Sequence, residues 1–322
     1  MPNYPGISSQ AFKHPLDQQA EQALRSVPGF DLLATRFSEY IYERPQQIYL
    51  MGNNLKVGPR QYSTLYGIYR ECVQALDLYP EPTLYVSQEP FVNAYSLGRE
   101  HPYIVINTGL LDLLEENELR TVIAHELGHL KCDHSILIQM FLWVRNTATF
   151  LGDLTLGIGK IMTTGLIYAF YEWRRKAELS SDRASLLVLD DVTPIFKTMM
   201  KLAGGSQKYA HECSLSEFLK QSDDYYRMDE DSLNQFYKVL IYNGANETFL
   251  SHPFTVERVR YIQEWSTSTQ YSQIKQGNYP KVRKEGSINV DATPQKQESE
   301  DLKKKIADLQ AEIDRIKSQR DP

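Results

Sequence analysis

The chain is poor in cysteine, with three in 322 residues (Cys72, Cys132 and Cys213), an odd number at no framework spacing. Disulfides therefore do not hold it together, and a reducing compartment fits best. Excess positive charge is also lacking. Lys and Arg number 35 against 41 Asp and Glu, a formal net charge of −6, so no basic footprint exists and nucleic acid is excluded as an expected partner. Met1-Pro2-Asn3-Tyr4-Pro5-Gly6 has neither a basic nor an apolar segment, so the expectation is a protein without a secretory signal, cytoplasmic or peripheral to a membrane. No Gly-rich phosphate loop, internal repeat or convincing Ser-His-Asp order is present, and the chemistry must come from elsewhere.

Uninterrupted hydrophobic runs are the last absence. Ile136 to Val144 and Ile161 to Tyr171 are strongly apolar, yet Arg145, Asp153 and Lys160 cut the region into pieces shorter than the roughly 18 apolar residues that a membrane span needs. Two buried helices, or a hairpin lying on a membrane surface, are what remain. Peripheral membrane contact is therefore expected, if anywhere, through residues 136–171.

What is present suffices for a sizeable core: 42% of residues are hydrophobic and 24% charged. Leu16, Ala20, Ala23 and Leu24, then Leu32, Leu33, Phe37, Tyr40 and Ile41, recur at helical spacing on either side of a Pro28-Gly29 break. Tyr62 to Leu78 predicts a third helix. The period then changes to short β-rich runs at 83–87, 91–96 and 103–107, which predict a small sheet. A short helix follows through Leu114, and Asn117 is the expected cap of a helix from Glu118 onward. Pro253 suits the first turn of another, with Val256, Val259 and Ile262 on one face. The fold class is thus α+β, mainly helical. One domain is expected over 15–270, followed by a polar linker over 271–298. A short coiled-coil-like helix is expected over 299–320, where Leu302, Ile306, Leu309, Ile313 and Ile316 alternate steps of four and three. Self-association through that tail is one expectation; a helix packed on its own domain is the other.

His125-Glu126-Leu127-Gly128-His129 sits in a helical pattern whose buried stripe is Leu119, Val122, Ile123, Leu127 and Leu130. Histidines four apart project from one face, so both imidazoles can reach one tetrahedral zinc, with Glu126 beside the metal. A third ligand is required. The HExxHxxGxxH scheme fails, because Cys132 occupies the Gly position and His134 comes one residue early. Continuing helix is the reading for 131–134, with His134 pointing away from the zinc face. The better scheme takes a carboxylate from a later helix. Glu178 is the leading choice, since Asp182 lies one turn further on the same face, placed to accept from the far nitrogen of His125. Glu172 competes, but its partner four residues on is Lys176, which suggests a solvated ion pair.

Four blocks now resemble one family. They are Asn93-Ala94-Tyr95-Ser96-Leu97-Gly98; Asn107-Thr108-Gly109 with Glu118-Leu119 leading to the HELGH run and His134; Glu178 with Asp182; and Ser251-His252-Pro253 with Arg258. Together they resemble zinc metallopeptidase family forty-eight, the gluzincin group of HtpX-like and zinc CAAX prenyl proteases. The resemblance implies a zincin-like domain with its small sheet beside the HExxH helix and one zinc per chain held by His125, His129 and Glu178. It also implies Glu126 as catalytic base, with Asn93 and Ala94 on an edge strand where a peptide or protein substrate adds as a further strand. His252 is expected to contact the oxyanion, with Arg258 assisting or anchoring its helix. Ser181 stands where the family often has Ala, and the charge-interrupted segment replaces the membrane helices of some relatives, which argues against intramembrane or prenyl-protein substrates. The rival class is a catalytically silent zinc-fold protein acting as a chaperone-like or interaction module.

Overall fold

The computed structural model describes residues 2–27, 29–30, 34, 43–143, 158–229, 231–242 and 252–282. Helix α1 (Pro15–Arg25) opens where expected: the His14 ring accepts from the Leu16 N–H at 3.1 Å and Pro15 takes the first helical position. Helix α2 (Glu43–Asn53) and strand β1 (Leu55–Lys56) follow, neither predicted from the sequence pattern. Helix α3 (Ser63–Leu76) turns Leu65, Ile68, Tyr69, Cys72 and Leu76 inward.

Strands β2 (Thr83–Ser87), β3 (Ala94–Leu97) and β4 (Tyr103–Asn107) complete a four-stranded sheet of order β1-β2-β4-β3. β2 and β4 are parallel, Thr83 opposite Tyr103 and Ser87 opposite Asn107, whereas β3 runs antiparallel to β4 with Ala94 opposite Ile106. All five residues of β4 are buried, as its unbroken apolar run requires. β3 is left as an edge.

Helix α4 (Thr108–Leu113) packs against the end of β4, and Gly109 is obligatory there: a Cβ would lie 2.1 Å from the Pro90 carbonyl oxygen. Helix α5 (Glu116–Lys131) carries the HELGH run. Its start differs from the sequence reading. Glu115, not Asn117, is the cap, and its N–H donates to Glu118 Oε2 at 2.9 Å, half of a capping box. Its end differs too. Cys132 caps α5 and Asp133 takes a left-handed φ of 58°, so the helix does not continue through 131–134; it breaks, and a new helix, α6 (134–143), follows. Asp is among the few residues whose short polar side chain tolerates that backbone region.

Helix α7 (Ile158–Leu189) runs alongside α5. Contact is close because Gly128 has no side chain: a Cβ there would sit 2.7 Å from Ala184 Cβ and 3.0 Å from Ser181 Cα. The Ser185 hydroxyl donates to the Thr121 carbonyl at 2.9 Å and ties the pair together. Helices α8 (Val192–Gly204), α9 (Leu215–Asp229), α10 (Ser232–Tyr242), α11 (Thr255–Ser266) and α12 (Thr269–Lys275) follow. Helix α11 starts two residues later than Pro253, with Phe254 at its cap.

The main core lies between the sheet and the helices, with Leu84, Ile104 and Ile106 against Ile123, Leu127 and Leu187. A second cluster joins Leu137, Met140, Phe141, Phe170 and Trp173 to Leu24 and Phe30. Leu137, Met140 and Phe141 of α6 and Leu166 and Phe170 of α7 are thus buried in one cluster with Leu24 of α1, whereas Tyr168 is exposed; residues 144–157 lie outside the described residues. No helix among the described residues is long and apolar enough to cross a membrane.

One boundary moves. The polar linker expected from residue 271 begins later, because α12 buries Tyr271 and Ile274, Lys281 bridges to Ile7, and the Val282 N–H donates to Gly6. The compact unit runs to Val282. The remaining linker and the coiled-coil-like tail at 299–320 lie outside the described residues.

Candidate active site

α5 and α7 bring three ligand atoms together. His125 Nε2 is 3.1 Å from Glu178 Oε2, His129 Nε2 is 3.4 Å from Glu178 Oε1, and the two Nε2 atoms are 3.2 Å apart. A tetrahedral ion with bonds of about 2.0–2.1 Å places its ligand atoms about 3.3 Å from one another. The spacing fits. The donor chemistry fits as well. His125 Nδ1 is 3.0 Å from Asp182 Oδ1, so that nitrogen carries the ring hydrogen and Nε2 offers a lone pair toward a carboxylate and a second imidazole. Convergent acceptors of this kind call for a cation, and His125, His129 and Glu178 form the group among the described residues that could hold one.

The electrostatics agree. Burial alone would lower the His125 pKa, but Asp182 and Glu178 reverse this and push it up to about 10, so the two carboxylates draw positive charge to this place: a second proton on the ring or, in its stead, a cation at Nε2. Burial would raise the Glu178 carboxyl; His252, His125 and His129 instead hold it well below the usual carboxylate range. Asp182 is likewise held low by Arg258 and His125 against the effect of burial.

The structure brings the other expected residues to the same place. Arg258 is buried on α11, its Nε donating to Asp182 Oδ2 at 2.8 Å and its Nη2 to Oδ1, with Nη1 3.7 Å from Glu178. Arg258 thus clamps Asp182, which holds His125. His252, half exposed, puts Nε2 3.5 Å from Glu178 Oε1 at the cleft. Glu126 faces two cavities of about 330 and 530 Å³. Asn93 and Ala94 line both, at the start of edge strand β3, and the Ser96 hydroxyl donates to the Glu126 carbonyl at 3.1 Å, fastening that strand to α5. Glu172 stays outside the site, itself exposed and paired with the buried Arg175 and the partly buried Lys176.

Sequence reasoning missed four contributors, His134, Asp17, Ser180 and Gly128. His134 was expected off the zinc face and without a part in the site; after the break at 132–133 its Nδ1 lies 3.0 Å from His129 Nδ1, behind that ligand and on the side away from its Nε2. Asp17 and Ser180 stand behind it. Nothing in the spacing of Asp17 signals this, since it lies 117 residues from His134. Gly128 did carry a signal: glycine inside a helix weakens it and usually marks a close approach.

Two histidines one turn apart, a glutamate from a second helix and a free glutamate between them, beside a cleft edged by a β-strand, are the marks of a zincin-like metallopeptidase. Residues 59–266, well over half of the chain, match the model of Peptidase family M48, and the chain belongs to that family. It is 35% identical over 281 residues to the plastoglobule-localized metallopeptidase 48 of Arabidopsis thaliana, covering 84% of this chain and 77% of that one. Protease HtpX homologs of Dictyoglomus turgidum (22% identical; 70% and 77% covered) and Thermoplasma volcanium (26%; 66% and 75%) also match. No solved structure matches.

Proposed function

We propose that this metallopeptidase is a zinc-dependent endopeptidase, with His125, His129 and Glu178 as ligands and Glu126 as general base. The observation that carries the reading is the triangle of ligand atoms at 3.1 to 3.4 Å with Glu126 beside it in the cleft. Zinc bound there would lower the pKa of a water toward neutrality and polarise a peptide carbonyl. Glu126 is placed to take a proton from the attacking water and to deliver it to the leaving amine. His252, on the open side of the ligands, donates to the developing oxyanion. The substrate backbone pairs with β3, Asn93 and Ala94 lying nearest the bond to be cut. The larger cavity follows β3 toward Leu97, and the smaller one is walled by Leu110, Val122, Ile195 and Met199, which suits an apolar substrate side chain.

The test is a peptide-library cleavage profile. Glu126→Gln should abolish cleavage while one zinc per chain stays bound by mass spectrometry; cleavage at the wild-type rate in that variant would reject the base, and no cleavage of any peptide by the zinc-loaded wild type would make the chaperone-like module the better account. For partners, we infer a peptide or protein chain at β3. Membrane contact through 136–171 is read by flotation with lipid vesicles, and self-association through 299–320 by sedimentation of the full chain.

A further inference from the structure

The two ligand histidines are supported differently from behind. His125 turns Nδ1 directly to a carboxylate, Asp182, at 3.0 Å. His129 turns Nδ1 to another imidazole, His134 Nδ1 at 3.0 Å, and His134 Nε2 lies 3.0 Å from Asp17 Oδ2. Asp17 is fully buried on α1, and the same oxygen accepts from the Ser180 hydroxyl at 2.6 Å. Ser180 lies two residues past Glu178 and also accepts the His14 backbone N–H at 2.9 Å.

Only one placement of hydrogens satisfies this line. A ligating His129 offers its Nε2 lone pair, so its single hydrogen sits on Nδ1 and must be accepted by a lone pair on His134 Nδ1. His134 then carries its own hydrogen on Nε2 and donates it to Asp17. Every donor faces an acceptor, and the line ends on a carboxylate, as the line from His125 does. Such a carboxylate fixes the tautomer and ring orientation of the ligand and raises its basicity.

We propose that Asp17, acting through His134, is a positioning residue for the metal ligand His129, which makes α1 a working part of the metal centre although it precedes the family-matched residues 59–266. The proposal rests on the ligand assignment given above. A merely structural pair, holding α1 against α7, would change stability alone.

The experiment measures zinc affinity of the full chain by competition with a chromophoric chelator, together with the visible spectrum of the cobalt-substituted protein. Asp17→Asn, which keeps size and removes charge, should weaken zinc binding about 10–100-fold and change the cobalt bands. Leu24→Ala supplies the comparison: it loosens the same helix through the apolar cluster, lowers the melting temperature and should leave affinity and spectrum unchanged. His134→Phe should match Asp17→Asn; should it fail to fold, the Asp17 variant decides alone. Wild-type affinity and spectrum in Asp17→Asn would overturn the proposal, as would equal losses in Asp17→Asn and Leu24→Ala. Glu178→Ala separates the two readings: undiminished zinc in that variant overturns the ligand assignment and the relay with it, whereas zinc lost there and retained in Asp17→Asn overturns the relay alone.

Discussion

Asp182 serves two partners at once. It accepts from His125 Nδ1 and neutralises the buried Arg258. Asp182→Asn keeps the shape but weakens both interactions, so zinc affinity should fall about 10–100-fold, read by chelator competition. Leaving the Arg258 guanidinium short of its carboxylate should also cost stability, up to about 3–5 kcal/mol, the range for a broken buried pair. Asp17 makes a pH prediction of a different kind. Burial alone would raise its pKa, but His134, Lys13 and Ser180 outweigh this and hold it near about 2, against 3.8 for the unperturbed group. A carboxyl depressed in the folded state adds stability above the unfolded pKa and loses it as pH falls toward the folded one. The contribution is about 2 kcal/mol, present in full above roughly pH 5 and gone near pH 2. Denaturant titrations of wild type and Asp17→Asn from pH 6 downward should therefore converge as the acid end is reached; a constant gap would show that the charge of Asp17 is not what stabilises it.

At the scale of elements, the site is a seam between α5 and α7, and its tightness depends on Gly128. A Cβ there meets Ala184 and the Ser181 backbone, which cannot yield as a flexible side chain would. Gly128→Ala should gain about 1 kcal/mol of helix propensity and lose about 1–3 kcal/mol to overpacking. It should also carry His125 and His129 away from Glu178, so that zinc affinity falls more than the melting temperature suggests. Intact affinity in a correctly folded variant would show that the helices can part without disturbing the ligands. The same seam shows which parts were legible beforehand. His125 with His129, and Glu178 with Asp182, are local patterns at one-turn spacing, and helical periodicity alone puts each pair on one face. Strands β2 and β4 were equally plain, being short β-branched runs between turn residues. The helix break at Cys132-Asp133 was not legible, because the left-handed Asp133 is imposed by tertiary context that its neighbours in sequence do not reveal. Missing that break hid the role of His134.

At the scale of the molecule, both ends of the described chain close on one another, and this is where sequence composition misled most. Residues 271–282 are polar on average, so they read as linker. Yet two apolar side chains suffice to fasten such a segment: Tyr271 and Ile274 are buried, and the Tyr271 hydroxyl donates to Asp190 Oδ1 at 2.6 Å. Backbone bonds finish the closure, Ser8 N–H to Pro280 at 2.9 Å and Val282 N–H to Gly6 at 2.8 Å, and they hold the segment that leads into α1 and Asp17. The boundary therefore has a measurable consequence. A chain ending at Val282 should melt within a few degrees of the full-length protein and bind zinc equally well. One ending at Ser268 loses the burial of Tyr271 and Ile274, about 2–3 kcal/mol each, together with the bridge to Ile7. For a domain of this size that corresponds to a fall of about 10 °C or more. Because the N-terminal segment would lose the bridge and backbone bonds to 280–282, zinc affinity should drop in the shorter chain as well, by the route through Asp17 and His134. Equal melting temperatures for the two truncations would return the boundary to residue 270, and a shorter chain that melts early but binds zinc as tightly as wild type would uncouple the terminal closure from the metal centre.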